Sequence, residues 1–236
     1  MTSKTRMLAL VKAHDWAAVE RALAEQPALL GVRDERGRGW LHIACATPPK
    51  SHADVAASIA TADVLLAAGL EIDDAAFTEG QWRATPLWYA IGCGRNLALA
   101  EHLLKEGCDP EHCLWAAGFN RDAEAIRLLV RHGASLDPFQ EGTTPFLGAV
   151  KCSHFAEAEV LLELGADVDH KDDAGLTALH LMLKKGSDAR WLEMLARHGA
   201  RGDIADPEGR TAIEILRRKR DPAFHAIADR LAANGG

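Results

Sequence analysis

Thiols and imidazoles are the side chains in this chain best suited to chemistry. One group of them stands out: Cys108, Asp109, His112 and Cys113. A Cys-x3-His pair occurs in zinc sites, but zinc wants four nitrogen or sulfur ligands converging tetrahedrally. No second pair accompanies this one. The favoured reading of the two cysteines is small buried apolar residues. The alternative, from another class of function, is a ligand or metal site, or an enzyme site, lined by Cys93, Cys108, His112 and Cys113. His14-Asp15 has the composition of an acid–base pair, yet it falls at a helix boundary, where Asp15 serves as an N-cap. Gly92-Cys93-Gly94 is an incomplete G-x-G-x-x-G and precedes no strand-to-helix turn. The phosphate loop, the H-E-x-x-H pair and the G-x-S-x-G elbow are missing from the sequence. No catalytic, cofactor-binding or metal-ligating residue is therefore assigned, and no cofactor is expected.

The composition says what elements must hold these residues. The chain has 236 residues with Lys plus Arg 27, Asp plus Glu 34 and a net charge of −7. Ala (43) and Leu (30) far outnumber Val, Ile and Thr (28 together), which favours helix over sheet. The acidic balance argues against general nucleic-acid binding. Arg217-Arg218-Lys219-Arg220 reads as the solvated face of a terminal helix. The most apolar stretch, Val55 to Leu70, is too short to span a bilayer and carries Asp63. No secretory leader is evident, and five scattered cysteines suit reduced thiols. A cytoplasmic protein is expected.

Aligned against itself, the sequence repeats. One phrase recurs at Thr85-Pro-Leu-Trp88, Thr144-Pro-Phe-Leu147, Thr177-Ala-Leu-His180 and Thr211-Ala-Ile-Glu214. Degenerate copies are Gly39-Trp-Leu-His42 and His112-Cys-Leu-Trp115. A Leu-rich phrase follows, ending at Gly69, Gly107, Gly133, Gly165 or Gly199. An Asp usually stands four residues later, as at Asp73, Asp137, Asp169 and Asp203. Thr144 to Thr177 spans 33 residues, and Thr177 to Thr211 spans 34. This pattern resembles the ankyrin repeat family, with its period of about 33 and T-P-L-H-x-A phrase, over nearly the whole chain. The resemblance implies an all-α solenoid of stacked helix–turn–helix units with short β-turn fingers. It further implies a protein-binding module without enzyme activity. In the family the His of the phrase ties turns together by hydrogen bonds. Here His42 and His180 keep that role, while Trp88, Trp115, Leu147 and Glu214 replace it, so those junctions are expected to rely on packing. Small, Ala-rich members resemble bacterial ones, some of which act as immunity proteins or antitoxins that mask a toxin domain.

Thr before Pro suits a helix start, and Gly suits a left-handed stop. Residues 1–236 read as one domain. An N-terminal capping hairpin covers 4–33, with helices near Thr5–Ala13 and Trp16–Glu25. Repeats follow at 34–74, 75–109, 110–137, 138–171 and 172–205, with a C-terminal capping repeat at 206–236. Lys4, Arg6 and Lys12 at one end, and Arg217, Arg218, Arg220 and Asp221 at the other, are expected on polar outer sides. Closed caps make a monomer the default. Roughly nine extra residues around 47–54 should lengthen an inter-helix loop or the start of a second helix. The stretch 75–84 should form a long finger. The short junction at 108–112 leaves no room for a full finger, so the row of fingertips should have a gap there.

What remains is a surface for a protein partner. The resemblance places binding residues on the fingertips and the concave ends of the first helices. By register the fingertips are Glu35, Arg36, Arg38, Gln81, Trp82, Arg83, Phe139, Gln140, Glu141, Asp173, Glu208 and Arg210. The helix ends are Thr47, Phe119, Asn120, Lys151, Lys184, Lys185, Arg218 and Lys219. Trp82, Phe119 and Phe139 are aromatic where water is expected, which marks them as anchors. Lys151, Lys184, Lys185, Arg210, Arg218 and Lys219 form a basic stripe that an acidic patch would complement. An RNA- or DNA-binding alternative rests on Lys184, Lys185, Arg218 and Lys219 of that stripe.

Overall fold

The computed structural model describes residues 2–79, 82–138 and 142–235. It divides into two compact units, residues 1–117 with 131–134, and residues 118–130 with 135–236. Among the described residues the only sheet is one two-stranded hairpin, and the rest of the regular structure is helical. No described helix is long and apolar enough to cross a membrane.

In the first unit the capping hairpin is α1 (Lys4–Lys12) and α2 (Trp16–Glu25). Asp15 caps α2 as its position demands, accepting a hydrogen bond from Ala18 N at 3.1 Å. The next pair is α3 (Trp40–Ala46) and α4 (His52–Ala67). The extra residues of this repeat form the 47–51 loop and also lengthen its second helix to 16 residues, against 9 in α6. The long finger is the antiparallel hairpin β1 (Thr78–Glu79) and β2 (Trp82–Arg83). It leads into α5 (Pro86–Tyr89), capped by Thr85, and a π-turn at Ala90–Gly94, then α6 (Leu97–Lys105). Trp40, Leu41, Leu65, Leu87, Leu99 and Leu103 fill the core between the helices. Residues 109–112 make only a tight turn, in which Cys113 N donates to Pro110 O at 3.3 Å.

Helices α7 (Leu114–Phe119) and α8 (Ala123–Arg131) lie where the chain passes from one unit to the other. The second unit continues with α9 (Pro145–Lys151), α10 (Phe155–Glu163), α11 (Ala178–Lys185) and α12 (Ala189–Arg197). It ends with α13 (Ala212–Arg217) and α14 (Pro222–Asn234). First helices pack on first helices, α9 on α11 and α11 on α13, while α10 packs on α9 and α14 on α12 and α13. Asn234 Nδ2 closes the last second-helix layer by donating to Ala196 O at 2.9 Å and Ala200 O at 3.0 Å.

Two devices recur. Five of the short inter-helix turns pass through a left-handed residue, at His14, Arg95, Arg121, Ser153 and Gly186. Four of these five carry a side chain, at a cost of about 1 kcal/mol each, and the packed helices on either side hold them there. The Asp after three of the glycine stops ties repeats together. Asp73 accepts from Asp109 N at 3.0 Å, Asp137 from Asp167 N at 3.2 Å, and Asp169 from Arg201 N at 2.9 Å.

One junction differs from expectation. Glu214 does not pack in place of His. Its carboxylate accepts from Thr211 N at 3.0 Å while Thr211 Oγ1 accepts from Glu214 N at 3.2 Å, a reciprocal helix cap. An acid at this position finds an orphan amide more readily than an apolar neighbour. Leu147 is fully buried, as a packing junction requires.

Candidate functional site

The fingers at 34–38, 172–176 and 206–210 share one construction. An Asp opens each, and its Oδ1 accepts two backbone N–H groups, from residues two and four places on. The donors are Arg36 and Arg38 for Asp34, Ala174 and Leu176 for Asp172, and Glu208 and Arg210 for Asp206. The other oxygen then takes a cation. Arg38 pairs with Asp34 at 2.7 Å, Lys151 with Asp172 at 3.0 Å and Arg210 with Asp206 at 2.7 Å. Where residue four of the turn is Leu176 rather than Arg, the cation comes from α9 instead. Burial works to raise the Asp206 carboxyl, but the hydrogen bonds from Arg210 outweigh it and hold the group down at about 2.

This construction changes the reading of the basic stripe. Arg38 and Arg210, expected to face a partner, have their charges tied to their own fingers, and Lys151 to the finger of the next repeat. Lys185 is tied as well, donating to Lys151 O and to Ser153 Oγ. Arg83 donates to Asp73 O at 3.2 Å. Of the stripe, Lys184 and Arg218 have no partner among the described residues, and Lys219 has only the Phe224 ring, 5.9 Å from its Nζ. Gln81, Phe139, Gln140 and Glu141 lie outside the described residues, and so does the side chain of Trp82. Phe119 is 74% exposed at the end of α7, with Asn120 following it. Two exposed aromatics escaped the sequence reading, Trp16 at 45% and Phe77 at 49%. Both stand outside the repeat positions used as a guide.

Between fingers and first helices lie two grooves, one in each unit. The N-terminal groove, about 450 Å³, has Leu8, Val32, Trp40 and Ile43 as its apolar part, with Lys4, Lys12, Arg33 and Arg38 around it. Arg38 and Thr47 of its lining were named from the sequence as binding residues, while Lys4 and Lys12, expected on the polar outer side of the cap, line the groove instead. The C-terminal groove, about 730 Å³, is lined by Leu176, Leu183 and Ile215, with Lys184, Arg218 and Lys219 on its rim.

His42 and His180 occupy matching positions beside these grooves. His42 Nδ1 accepts from Gly39 N at 3.2 Å, and its Nε2 donates to Asp74 O at 2.8 Å, joining its repeat to the next finger. His180 Nδ1 accepts from the Thr177 hydroxyl at 2.8 Å. Its Nε2 is buried without a hydrogen bond of good geometry, although the Arg210 backbone is within electrostatic reach. Burial lowers the pKa of both rings, so both are neutral at pH 7.

Cys108 and Cys113 are buried, while Asp109 between them is exposed. Burial first, then Asp73, pushes the Cys108 thiol up to about 12, and burial raises Cys113 and Cys45 as well. A thiol held protonated is a weak nucleophile. Among the described residues no three His, Cys, Asp or Glu side chains are grouped so as to hold a metal ion. Cys93 and Cys152 are exposed, and all five cysteines are free thiols.

Residues 87–172 match the family model for ankyrin repeats in three copies. The chain carries ankyrin repeats. The ankyrin repeat domain of Bcl-3, a member of the IkappaB protein family, superposes with a TM-score of 0.74 at 19% identity, covering 94% of this chain and 97% of that one. An ankyrin repeat domain from Acinetobacter baumannii gives 0.62 at 23% identity, covering 83% and 97%. At such identities the likeness is one of ankyrin fold. Human Inversin is 33% identical over 138 residues, 58% of this chain. That match spans only 13% of Inversin's length.

Proposed function

We propose that the chain is a non-enzymatic module that binds a partner protein through its ankyrin fingers and the adjoining ends of its first helices. The observation that carries this reading is Phe119. A phenyl ring 74% exposed at the end of a first helix costs solubility and contributes little to the fold. Interfaces, by contrast, draw their energy from a few aromatic and Arg anchors. Trp82 and Phe139, fingertip residues in the sequence register, are further candidate anchors of the same proposal. The buried thiols suit a reducing compartment, and the cytosol is the proposed location.

The test is a paired capture and titration. The partner is isolated on the wild-type chain, then titrated against wild type and Phe119→Ala. The variant should bind more weakly by more than about 1 kcal/mol, with an unchanged melting curve. Equal affinity for both would remove Phe119 from the interface and leave the reading without its main support.

A further inference from the structure

The C-terminal groove holds positive charge that the chain itself leaves unmatched. Four cations and two carboxylates line it. Both carboxylates are held by Arg210, Asp206 at 2.7 Å and Glu208 at 2.9 Å. Lys184, Arg218 and Lys219 remain, exposed and without a carboxylate among the described residues. Lys184 lies in the last turn of α11, and Arg218 caps the end of α13. Each helix end carries about half a negative charge, so two of them balance about one of the three cations. In the N-terminal groove the cations are engaged internally. Lys4 donates to Arg33 O at 3.0 Å, Arg33 to Gly37 O and Asp74 at 2.7 Å each, and Arg38 to Asp34 at 2.8 Å. Only Lys12 lacks a partner there among the described residues.

We infer that the C-terminal groove receives an acidic segment of the partner protein. Carboxylates of the segment would meet Lys184, Arg218 and Lys219, and its apolar side chains would lie on Leu176, Leu183 and Ile215. The inference rests on the protein-binding reading above and names the chemistry of the segment. The apolar part of the groove favours a peptide over a nucleic-acid backbone. A phosphate chain brings no apolar side chains, and three cations supply little of the neutralisation that it needs.

The experiment uses the full chain and a fluorescein-labelled peptide of alternating Glu and Leu. A Lys/Leu peptide and a thymidine oligonucleotide of the same length serve as competing probes. The Glu/Leu peptide should bind, more weakly as salt rises. The combined change Lys184→Glu, Arg218→Glu and Lys219→Glu should weaken it by about tenfold or more. Lys12→Glu in the other groove should change it less than about twofold. The neutral set Lys184→Gln, Arg218→Gln and Lys219→Gln, with an unchanged melting curve, should lower affinity in the same direction. The inference is overturned if the acidic peptide does not bind, if the Lys/Leu peptide or the oligonucleotide binds as tightly, or if Lys12→Glu costs as much. Partner binding that survives the triple reversal but is lost in Phe119→Ala would remove the groove assignment and leave the protein-binding reading standing.

Discussion

The two grooves are built from the same parts and differ in what their charges do. Both set an apolar strip between a finger and a first helix, and both carry several Lys and Arg side chains. In the N-terminal groove those cations are structural: Arg33 alone holds the Gly37 carbonyl and the Asp74 carboxylate. In the C-terminal groove the Asp206 finger takes one Arg and leaves three cations facing water. A basic side chain in a repeat of this kind is thus read by what lies within hydrogen-bond reach, not by its place in the register. The imidazoles follow the same rule, since His42 is bonded at both nitrogens and His180 only at one.

The largest difference between the halves should come from backbone approach. A Cβ on Gly94 would stand 2.1 Å from the Cys45 carbonyl oxygen, so Gly94→Ala must push α3 and the π-turn apart. We expect a loss of about 3 kcal/mol or more, measured by denaturant unfolding. Gly202→Ala in the second unit meets Ile213 and Leu231 side-chain carbons at 2.7 Å, which yield more readily than backbone. About 1–3 kcal/mol is expected there. Equal costs would mean that both sites relax alike.

The fingers give the next contrast. Asp172→Ala strands two backbone amides and removes the acceptor of Lys151 from a side chain only 3% exposed. It should cost about 2 kcal/mol. Asp34→Ala removes the same bonds from a side chain 25% exposed, where water replaces them, and should cost about 1 kcal/mol. A reversed order would show that burial does not set the value of this turn.

Acid should weaken both halves. His14, His42 and His180 have pKa values lowered from 6.5 by burial, so below 6.5 the unfolded chain binds more protons than the folded one. Their contribution is complete above pH 6.5 and declines as pH falls through the window below it. A second decline, from Asp206, runs from its ordinary value of 3.8 down to about 2. Melting temperature followed from pH 7.5 to 2 should show both, and a flat curve between pH 7 and 5 would contradict the first. The smallest effects separate the grooves directly. Arg33→Ala should cost about 0.5–1 kcal/mol, while Lys184→Ala or Arg218→Ala should stay within about 0.5 kcal/mol.

Much of the ankyrin architecture could be read from the residues, because its signals are local. Thr85 and Thr144 cap helices that begin with Pro, and Asp15 caps α2, each through a side chain bonded within three residues. The long finger at 75–84 and the short junction at 108–112 were read from spacing set against the ankyrin pattern. The candidate surface was less readable. Phe119 stood out as an aromatic at a wet position, but nothing local showed that Lys151 reaches a buried Asp172 in the next finger. Glu214 was misjudged because its role depends on the amide of Thr211 being otherwise unbonded.

The amino-acid order fixed the helix starts, the stops at glycine and the period. Those depend on backbone conformation and on side chains a few residues apart, whose energies hardly vary with surroundings. Arg38 and Arg210 are tied within four residues, but Lys151 and Arg33 are tied only by folding, to Asp172 and Asp74 in distant parts of the chain. Coulomb and hydrogen-bond energies fall off within a few ångströms. A shift of one repeat against the next therefore rewrites them while leaving every local signal in place.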